Sequence, residues 1–265
     1  MHKIKFISTV LSVKSSFVGL ITAIIVTVPI LGENFTDSWP DGKLETLKYE
    51  IITYGQLASK GYNTMTINRT GGNDDIIRVT QELSINDSAV TIYTEETYHA
   101  ANLALIESQN RFVFSPEAKI TYGTDTLTVT AHPAGERLEI IASDTLAVSC
   151  RIPLSDDLVT GIGAMLLGRS STFEIGWSRN YRQINLINIT GKPYEVQDVT
   201  DSVVNVENVA LASGNYDCYK VMKIIPELIG YSYYSKDKNH IPVMIEAFDR
   251  TGSVRIMSIY LTGRE

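Results

Sequence analysis

Cysteine and histidine are scarce in this sequence, which contains two cysteines and four histidines among 265 residues. His2 falls in the N-terminal segment, and His99, His132 and His240 lie far apart with no His-x-x-x-His or paired-cysteine spacing. Because zinc sites gather Cys and His ligands at short spacings, the sequence predicts no metal site. His240 follows a turn and opens a predicted strand, so we expect its ring to face solvent.

The sequence also lacks the common catalytic motifs. It has no Gly-x-Ser-x-Gly turn for a serine hydrolase, and its Asp-Thr pairs at 125–126 and 144–145 are followed by leucine where an aspartic protease has glycine. Acid pairs at 74–75, 95–96 and 156–157 fall at turns, a strand edge or a helix start, where solvation or a helix dipole explains them. We therefore predict a non-enzymatic protein without a cofactor. The alternative is a hydrolase with an unidentified carboxylate site.

Positive charge is in short supply as well. The chain has 23 Lys and Arg against 30 Asp and Glu, which gives a net charge of −7. Residues 1–32 contain three lysines and no acidic residue, so the rest of the chain is more acidic than the total indicates. A body of this charge repels phosphate backbones and anionic membrane surfaces. The sequence thus predicts no nucleic-acid partner.

One uncharged run, residues 17–32, follows Lys3, Lys5 and Lys14. A positive segment, an apolar segment and a small residue at Gly32 are typical of a secretory signal peptide. The run is shorter than the ~20 residues that cross a bilayer upright, and a tilted N-terminal anchor is the alternative. We predict export to the periplasm or cell envelope, with membrane contact only through an uncleaved N-terminus.

Beyond this segment, short runs of β-branched and aromatic residues alternate with turn residues. In the run 76–84, for example, Ile77, Val79 and Leu83 share one face. Period-two alternation with frequent turns is typical of an antiparallel sheet with one covered face. The sequence predicts a single antiparallel β domain over 33–265. Predicted strands lie at 44–54, 62–69, 76–84, 89–98, 109–114, 117–122, 125–131, 136–142, 145–150, 172–178, 181–190, 194–211, 229–235, 240–248 and 253–262, with another beginning at Tyr216.

The stretch 155–170 does not follow this period-two alternation. Ser155 occupies a capping position, two acids follow it, and apolar residues then recur at helical spacing. These apolar residues are Leu158, Ile162, Met165 and Leu166. The pattern predicts one helix, packed against the sheet.

Cys150 and Cys218 are the two cysteines. In an oxidising compartment a disulfide between them is one prediction, and two buried apolar thiols are the alternative. Cys218 follows the corner at Gly214 and Asn215, and alternation along the next strand turns its side chain inward.

That corner belongs to a larger pattern. The stretch GNYDCYKV (214–221) is followed by YYSKDKNHIPV (233–243), and Gly252 opens the final predicted strand. Over residues 38–262 these motifs resemble the exported bacterial family catalogued as domain of unknown function 3108. The resemblance implies a mainly β fold in which a curved antiparallel sheet, a half-barrel like that of lipoprotein carriers, packs against one helix. The motifs are structural and imply no catalytic residue.

Aromatic side chains are the candidate binding residues. Trp177, Tyr181, Tyr231 and Tyr233 lie on predicted strands near the predicted helix, which contributes Met165. They form either ordinary core packing or an apolar groove on a concave face too wide for one helix to fill.

Our leading functional hypothesis follows from that groove. The sequence favours a non-enzymatic binding protein of the cell envelope that holds a lipid or a lipidated protein chain. The alternative is a structural or interaction protein whose sheet edge or acidic face docks an envelope partner.

Overall fold

A computed structural model describes residues 44–55, 58–71, 75–85, 87, 89–122, 126–143, 148–154, 158–160, 162–186 and 194–265. The predicted signal peptide or anchor at 1–32 and the acid pair at 156–157 lie outside these residues.

The described chain forms one sheet of fifteen strands, which confirms the mainly β prediction and the curved sheet. The strands are β1 (Leu44–Thr53), β2 (Ser59–Thr70), β3 (Ile76–Ile85), β4 (Val90–His99), β5 (Leu105–Phe114), β6 (Thr126–Ala134), β7 (Arg137–Ser143), β8 (Val148–Pro153), β9 (Leu158–Thr160), β10 (Ser178–Asn185), β11 (Glu195–Leu211), β12 (Gly214–Ile225), β13 (Leu228–Ser235), β14 (Pro242–Asp249) and β15 (Arg255–Arg264). Their order across the sheet is β8-β7-β6-β5-β4-β3-β2-β1-β15-β14-β13-β12-β11-β10-β9. All pairings are antiparallel except the parallel pair of β9 and β10.

Two meanders meet at the pair formed by the first and last strands, where Ile51 of β1 lies opposite Ile259 of β15. Side chains alternate between the two sides of each strand. In β1, for example, Leu47, Tyr49 and Ile51 are buried while the residues between them are half-buried. Among the described strands, β8 and β9 form the two edges of the sheet.

Two short helices accompany the sheet in the described residues, α1 (Pro116–Tyr122) and α2 (Gly163–Ser170). Neither is long and apolar enough to cross a membrane. Residues 163–169 of α2 are all buried, so this helix is enclosed around its whole circumference. Its two glycines allow aromatic rings from opposite meanders to approach: Tyr98 of β4 packs against Gly163, and Tyr234 of β13 packs against Gly168. The sheet therefore curves around α2.

A buried ion pair fixes the C-terminal end of α2. Arg169 contacts Glu45 of β1 (Nη2–Oε2 2.6 Å) and donates through Nε to the carbonyl of Asn239 at 3.0 Å. Arg264 of β15 pairs with the second oxygen of the same carboxylate at 2.8 Å. Glu45 and Arg169 are both almost fully buried, so removing either charge would leave the other without its partner in the interior.

The helix predicted over 155–170 is partly wrong. α2 begins at Gly163, and residues 158–160 form strand β9 instead. Val159 and Thr160 are β-branched and favour a strand, and their parallel pairing with Gln183 and Ile184 of β10 outweighs the helical spacing of the apolar residues.

Two predicted strands are also wrong. Residues 116–122 form α1, whose start has a recognisable signal: Pro116 opens the helix and the Ser115 hydroxyl accepts a hydrogen bond from Ala118 N at 3.2 Å. Residues 172–177 form a turn before β10, in which Gly176 has a φ of 91°. The number of helices is therefore two in the described chain, where one was predicted.

The C-terminal meander of β13, β14 and β15 is confirmed. Its last turn contains Asp249 and Gly252, as predicted, and Gly252 has a φ of 71°. The Asp249 carboxylate accepts hydrogen bonds from the backbone N–H groups of Ser253 (3.0 Å) and Val254 (3.1 Å), which hold the pKa of that carboxyl below its ordinary value.

The two cysteines are free thiols, so the disulfide predicted as one alternative is not formed. Cys150 lies half-buried on β8, whereas Cys218 is fully buried on β12 as its inward orientation predicted. Ten strands separate β8 from β12 across the sheet, and a disulfide needs Cα atoms within about 7 Å. Burial raises the pKa of the Cys218 thiol to about 12, so this thiol is protonated at neutral pH.

Candidate functional site

A cavity of about 770 Å³ lies at the end of the fold near the N-terminus of α2. It is bounded by the turn between β4 and β5, the start of β7, the end of β8, and strands β9 and β10. Its walls are mainly aliphatic: Leu103, Leu105, Leu138, Leu154, Leu158 and Ile184. We call it the end cavity.

A strained turn places one of these leucines. Leu103 has a φ of 51°, a conformation that is uncommon for a bulky residue and that clusters at functional sites. The turn is held by hydrogen bonds from Leu103 N to the His99 carbonyl (2.8 Å) and from Ala104 N to Asn102 Oδ1 (3.0 Å). The Leu103 side chain is buried as a result and forms part of the cavity wall.

A buried carboxylate lies behind the polar part of the wall. Tyr98 and Thr160 line the end cavity, and both contact Glu96 of β4. The Tyr98 hydroxyl donates to Glu96 Oε2, the Ser108 hydroxyl donates to Oε1 at 2.8 Å, and the backbone N–H of Ile162 donates to Oε2 at 3.3 Å. The Thr160 hydroxyl lies 3.3 Å from Oε2 and 3.0 Å from the Tyr98 oxygen. We call Glu96, Tyr98, Ser108 and Thr160 the Glu96 cluster.

The cluster continues into the sheet as a chain of hydrogen bonds. Asn110 donates through Nδ2 to the Ser108 oxygen at 3.0 Å, and the Thr94 hydroxyl donates to Asn110 Oδ1 at 2.8 Å. All of these side chains are buried on the inner face of β4 and β5. A buried polar network is rigid when its donors and acceptors have hydrogen-bond partners. The position of the Glu96 carboxylate is therefore fixed before any ligand binds.

The surroundings of Glu96 are neutral. Burial raises the pKa of the Glu96 carboxyl, and the hydrogen bonds from Tyr98, Ser108, Ile162 and Thr160 oppose that rise. Burial together with the neighbouring carboxylate raises the pKa of Tyr98 well above its ordinary value, so this phenol keeps its proton. A buried acid with a perturbed pKa beside a cavity is a typical feature of a functional site.

The reading of the acid pair at 95–96 as solvated is wrong for Glu96. Glu95 is exposed and forms an ion pair with Arg78 (3.4 Å), whereas Glu96 is 2% exposed. The signal was present in the sequence, because strict alternation along β4 places Ile92, Thr94, Glu96 and Tyr98 on the same side. Adjacent acids on a strand point to opposite faces and cannot act as a pair.

None of the five predicted ligand-binding residues lines the end cavity. Met165 of α2 and Tyr181 of β10 are buried in the main core, where the Tyr181 hydroxyl donates to Asp201 at 3.3 Å. Tyr231 and Tyr233 of β13 both contact the Lys220 ammonium, which lies 4.9 and 5.2 Å from their ring centres. The ligand-binding role of these residues stays a prediction, and the structure does not bring them together at one site.

The fifth residue, Trp177, belongs to a separate aromatic cluster. Its ring packs edge-on to Phe173 (5.3 Å between centres), and Tyr219 and Tyr234 pack around the same phenylalanine. His240 joins them, 5.5 Å from Phe173. The prediction that His240 faces solvent is therefore wrong: its ring is half-buried and Nδ1 lies 2.9 Å from the carbonyl oxygen of Ser235.

Comparisons with known proteins define the fold class. No family model and no curated protein matches the sequence. Among solved structures, a β-barrel-like protein of domain of unknown function 1849 from Brucella abortus is similar with a TM-score of 0.53 and 9% identity, over 85% of this chain and 98% of that one. At this identity the likeness shows the fold alone, a β-barrel-like sheet.

Two further solved structures are more distant. A domain described as an outer membrane lipoprotein-sorting protein from Vibrio parahaemolyticus has a TM-score of 0.29 at 8% identity, with 87% of this chain and 88% of that one covered. A protein of the domain of unknown function 1329 family from Desulfovibrio piger has a TM-score of 0.27 at 8% identity, with the same coverage. Membership of the family of domain of unknown function 3108 stays a prediction.

Proposed function

We propose that this chain is a binding protein of the bacterial cell envelope that holds a single apolar chain, such as the acyl chain of a lipid or of a lipidated protein, in the end cavity. The observation that carries the proposal is the aliphatic wall of a cavity of about 770 Å³. Small-molecule sites typically measure ~300–1,000 Å³ and combine apolar walls with a few fixed polar groups. The signal-like sequence at 1–32 supports an envelope location.

The end cavity lies beside α2 and does not require the helix to move. α2 fills the space between the two meanders, and its contacts with Tyr98, Tyr234 and Glu45 fix it there. A ligand therefore enters a preformed cavity beside α2 rather than replacing the helix. Each buried methylene contributes about 0.8 kcal/mol, so ten of them contribute about 8 kcal/mol, which offsets an entropy cost of binding in the lower part of its ~4–15 kcal/mol range.

Binding fits the Glu96 cluster better than catalysis does. Both oxygens of the Glu96 carboxylate accept hydrogen bonds from groups of the protein itself. A general base must reach the proton that it removes, and Glu96 lies behind Tyr98 and Thr160 rather than on the cavity surface. These contacts favour a structural and orienting role for the carboxylate.

Two measurements test the proposal. Native mass spectrometry after gentle purification should show a co-purifying lipid, and the purified protein should bind the uncharged apolar dye N-phenylnaphthylamine with a rise in fluorescence. Leu158→Trp places an indole in the cavity and should weaken dye binding at least tenfold. Leu44→Trp, at an exposed leucine of β1, is the matched control and should bind like the parent. No lipid and no dye uptake, or equal binding by both variants, would contradict the proposal.

The second candidate function is docking of an envelope protein, and the two sheet edges favour it. β8 and β9 each have a single neighbour among the described strands, and an edge strand offers backbone groups to an added strand. Crosslinking in cells that captures one specific protein through β8, together with a purified protein free of lipid, would favour this function over the first.

A further inference from the structure

The Glu96 cluster determines which kind of head group the end cavity can accept, and this inference rests on the proposed function. Tyr98 and Thr160 are the hydroxyl-bearing residues among those that line the cavity. Each hydroxyl has one proton and two acceptor lone pairs. The direction of those protons decides whether the wall offers hydrogen-bond donors or acceptors to a ligand.

Both protons point away from the cavity. The Tyr98 hydroxyl donates to Glu96 Oε2. The Thr160 hydroxyl has two acceptors in reach, Glu96 Oε2 at 3.3 Å and the Tyr98 oxygen at 3.0 Å. Glu96 Oε2 accepts from both hydroxyl groups, so both protons are directed towards the carboxyl group. The Tyr98 oxygen already accepts a hydrogen bond from the backbone N–H of Gly163 and lies 3.0 Å from the Thr160 hydroxyl. The Thr160 oxygen is therefore the hydroxyl acceptor that this wall offers to a ligand.

The charges around the cavity act in the same direction. Among the described residues that line it, the single charged side chain is Glu136 at the rim. No lysine or arginine is among those lining residues. The exposed Asn102 amide is the one neutral side chain of the described lining that could donate to an anionic head group. A carboxylate or phosphate would still meet no cation among the described lining residues and a negative charge at the rim, and burying an unpaired charge is costly.

We infer that the end cavity selects a single-chain lipid whose head group is uncharged and donates a hydrogen bond, such as a monoacylglycerol or a long-chain alcohol, and that it discriminates against fatty-acid carboxylates. The head-group hydroxyl donates to the Thr160 oxygen, while the chain lies along Leu103, Leu138 and Leu158.

Three ligands with the same acyl chain test this selectivity: monolaurin, methyl laurate and lauric acid. Each is titrated below its micelle concentration against the protein loaded with N-phenylnaphthylamine at neutral pH, and dye displacement is measured. Monolaurin should bind at least tenfold more tightly than laurate, a difference of about 1.4 kcal/mol. Methyl laurate, which has no donor, should bind more weakly than monolaurin.

A pair of isosteric variants tests whether the preference for monolaurin comes from the Glu96 cluster. Thr160→Val removes one acceptor from the wall and should bring monolaurin close to methyl laurate while leaving methyl laurate unchanged. Thr97→Val is the matched control, because Thr97 lies beside Tyr98 on β4 with its side chain on the other side of the strand. Circular dichroism reports whether each variant is folded, and the ligand series on the parent protein remains decisive if Thr160→Val is not.

The outcomes separate the two proposals. Failure of all three ligands to displace the dye, or failure of the dye to bind, would overturn the proposed function. Displacement in which laurate is equal to or tighter than monolaurin would overturn the selectivity and leave the lipid-binding function intact. Tighter binding of monolaurin that survives in Thr160→Val would overturn the role of the Thr160 oxygen.

Discussion

A buried glutamate of the sheet lies at each end of α2, Glu45 of β1 at the C-terminal end and Glu96 of β4 at the N-terminal end, and the two sites are built in opposite ways. At the C-terminal end, Glu45 contacts the cations Arg169 and Arg264 at 2.6 and 2.8 Å. At the N-terminal end, Glu96 contacts hydroxyl groups and one backbone N–H. Both carboxylates are 2% exposed, so burial alone does not distinguish them.

The Glu45 and Glu96 sites differ in their charge balance and in their access to the end cavity. The Glu45 site is an ion cluster that ties β1, β15 and α2 together, and removing one charge leaves the others uncompensated. The Glu96 site has dipoles in place of cations, and Tyr98 and Thr160 connect it to the end cavity. We therefore expect the C-terminal end of α2 to serve stability, and under the proposed function the N-terminal end serves binding.

The largest effect should come from breaking the ion cluster. Arg169→Met leaves Glu45 buried with one of its two cations and should lower the free energy of unfolding by about 3–5 kcal/mol. Urea denaturation followed by circular dichroism measures it. Arg151→Met is the control, because Arg151 is exposed and pairs with Glu139 at 3.0 Å on the surface; this change should cost less than about 1 kcal/mol. If Arg169→Met lowered the free energy of unfolding by less than about 1 kcal/mol, the ion cluster would not support the fold.

Paired glycine substitutions sharpen the comparison further. A Cβ at Gly163 would lie 2.8 Å from the Tyr98 ring, and a Cβ at Gly168 would collide with the Tyr234 hydroxyl. Each alanine variant should lower the free energy of unfolding by about 1–3 kcal/mol through overpacking. Gly163→Ala displaces Tyr98 and should also weaken dye binding several-fold, whereas Gly168→Ala should leave it unchanged.

Dye titration of the two folded variants separates these effects. Equal weakening in both variants would mean that the two ends of α2 are not independent.

The regular part of this fold could be predicted from the sequence. Alternation identified most strands, since each covered face needs an apolar residue at every second position. The turn at Asp249 and Gly252 was also predictable because its backbone conformation requires particular residues. Local signals failed where two tendencies competed, as at 158–160, where pairing with β10 decided the outcome.

The site could not be predicted in the same way. Glu96 and Thr160 are 64 residues apart and meet because the sheet curves around α2. Alternation did place Glu96 on the inner face, and a charged residue at a core position was the one available signal. The aromatic residues predicted to line a groove are divided instead between the main core, the Lys220 contact and the Phe173 cluster, because aromatic composition says nothing about which face each ring occupies.

The smallest effect should appear in the pH dependence of stability. Burial raises the pKa of Glu96 above its ordinary value of 4.5, so the folded protein binds this proton more tightly than the unfolded chain does. As the pH rises from about 4.5 to the raised pKa, the unfolded chain releases the proton first, and the contribution of Glu96 to the free energy of unfolding falls. Each unit of difference between the two pKa values is worth about 1.4 kcal/mol.

Glu96→Gln keeps the shape of the side chain and removes the titration, so its free energy of unfolding should lack this fall. Urea denaturation at several values between about pH 4 and 8 measures the difference between the variant and the parent. Glu95→Gln, on the exposed side of the same strand, should retain the fall. If the free energy of unfolding changed with pH in the same way for Glu96→Gln and the parent, neutral dipoles would stabilise the Glu96 carboxylate as well as the arginines stabilise Glu45. The two ends of α2 would then differ only in their access to the cavity.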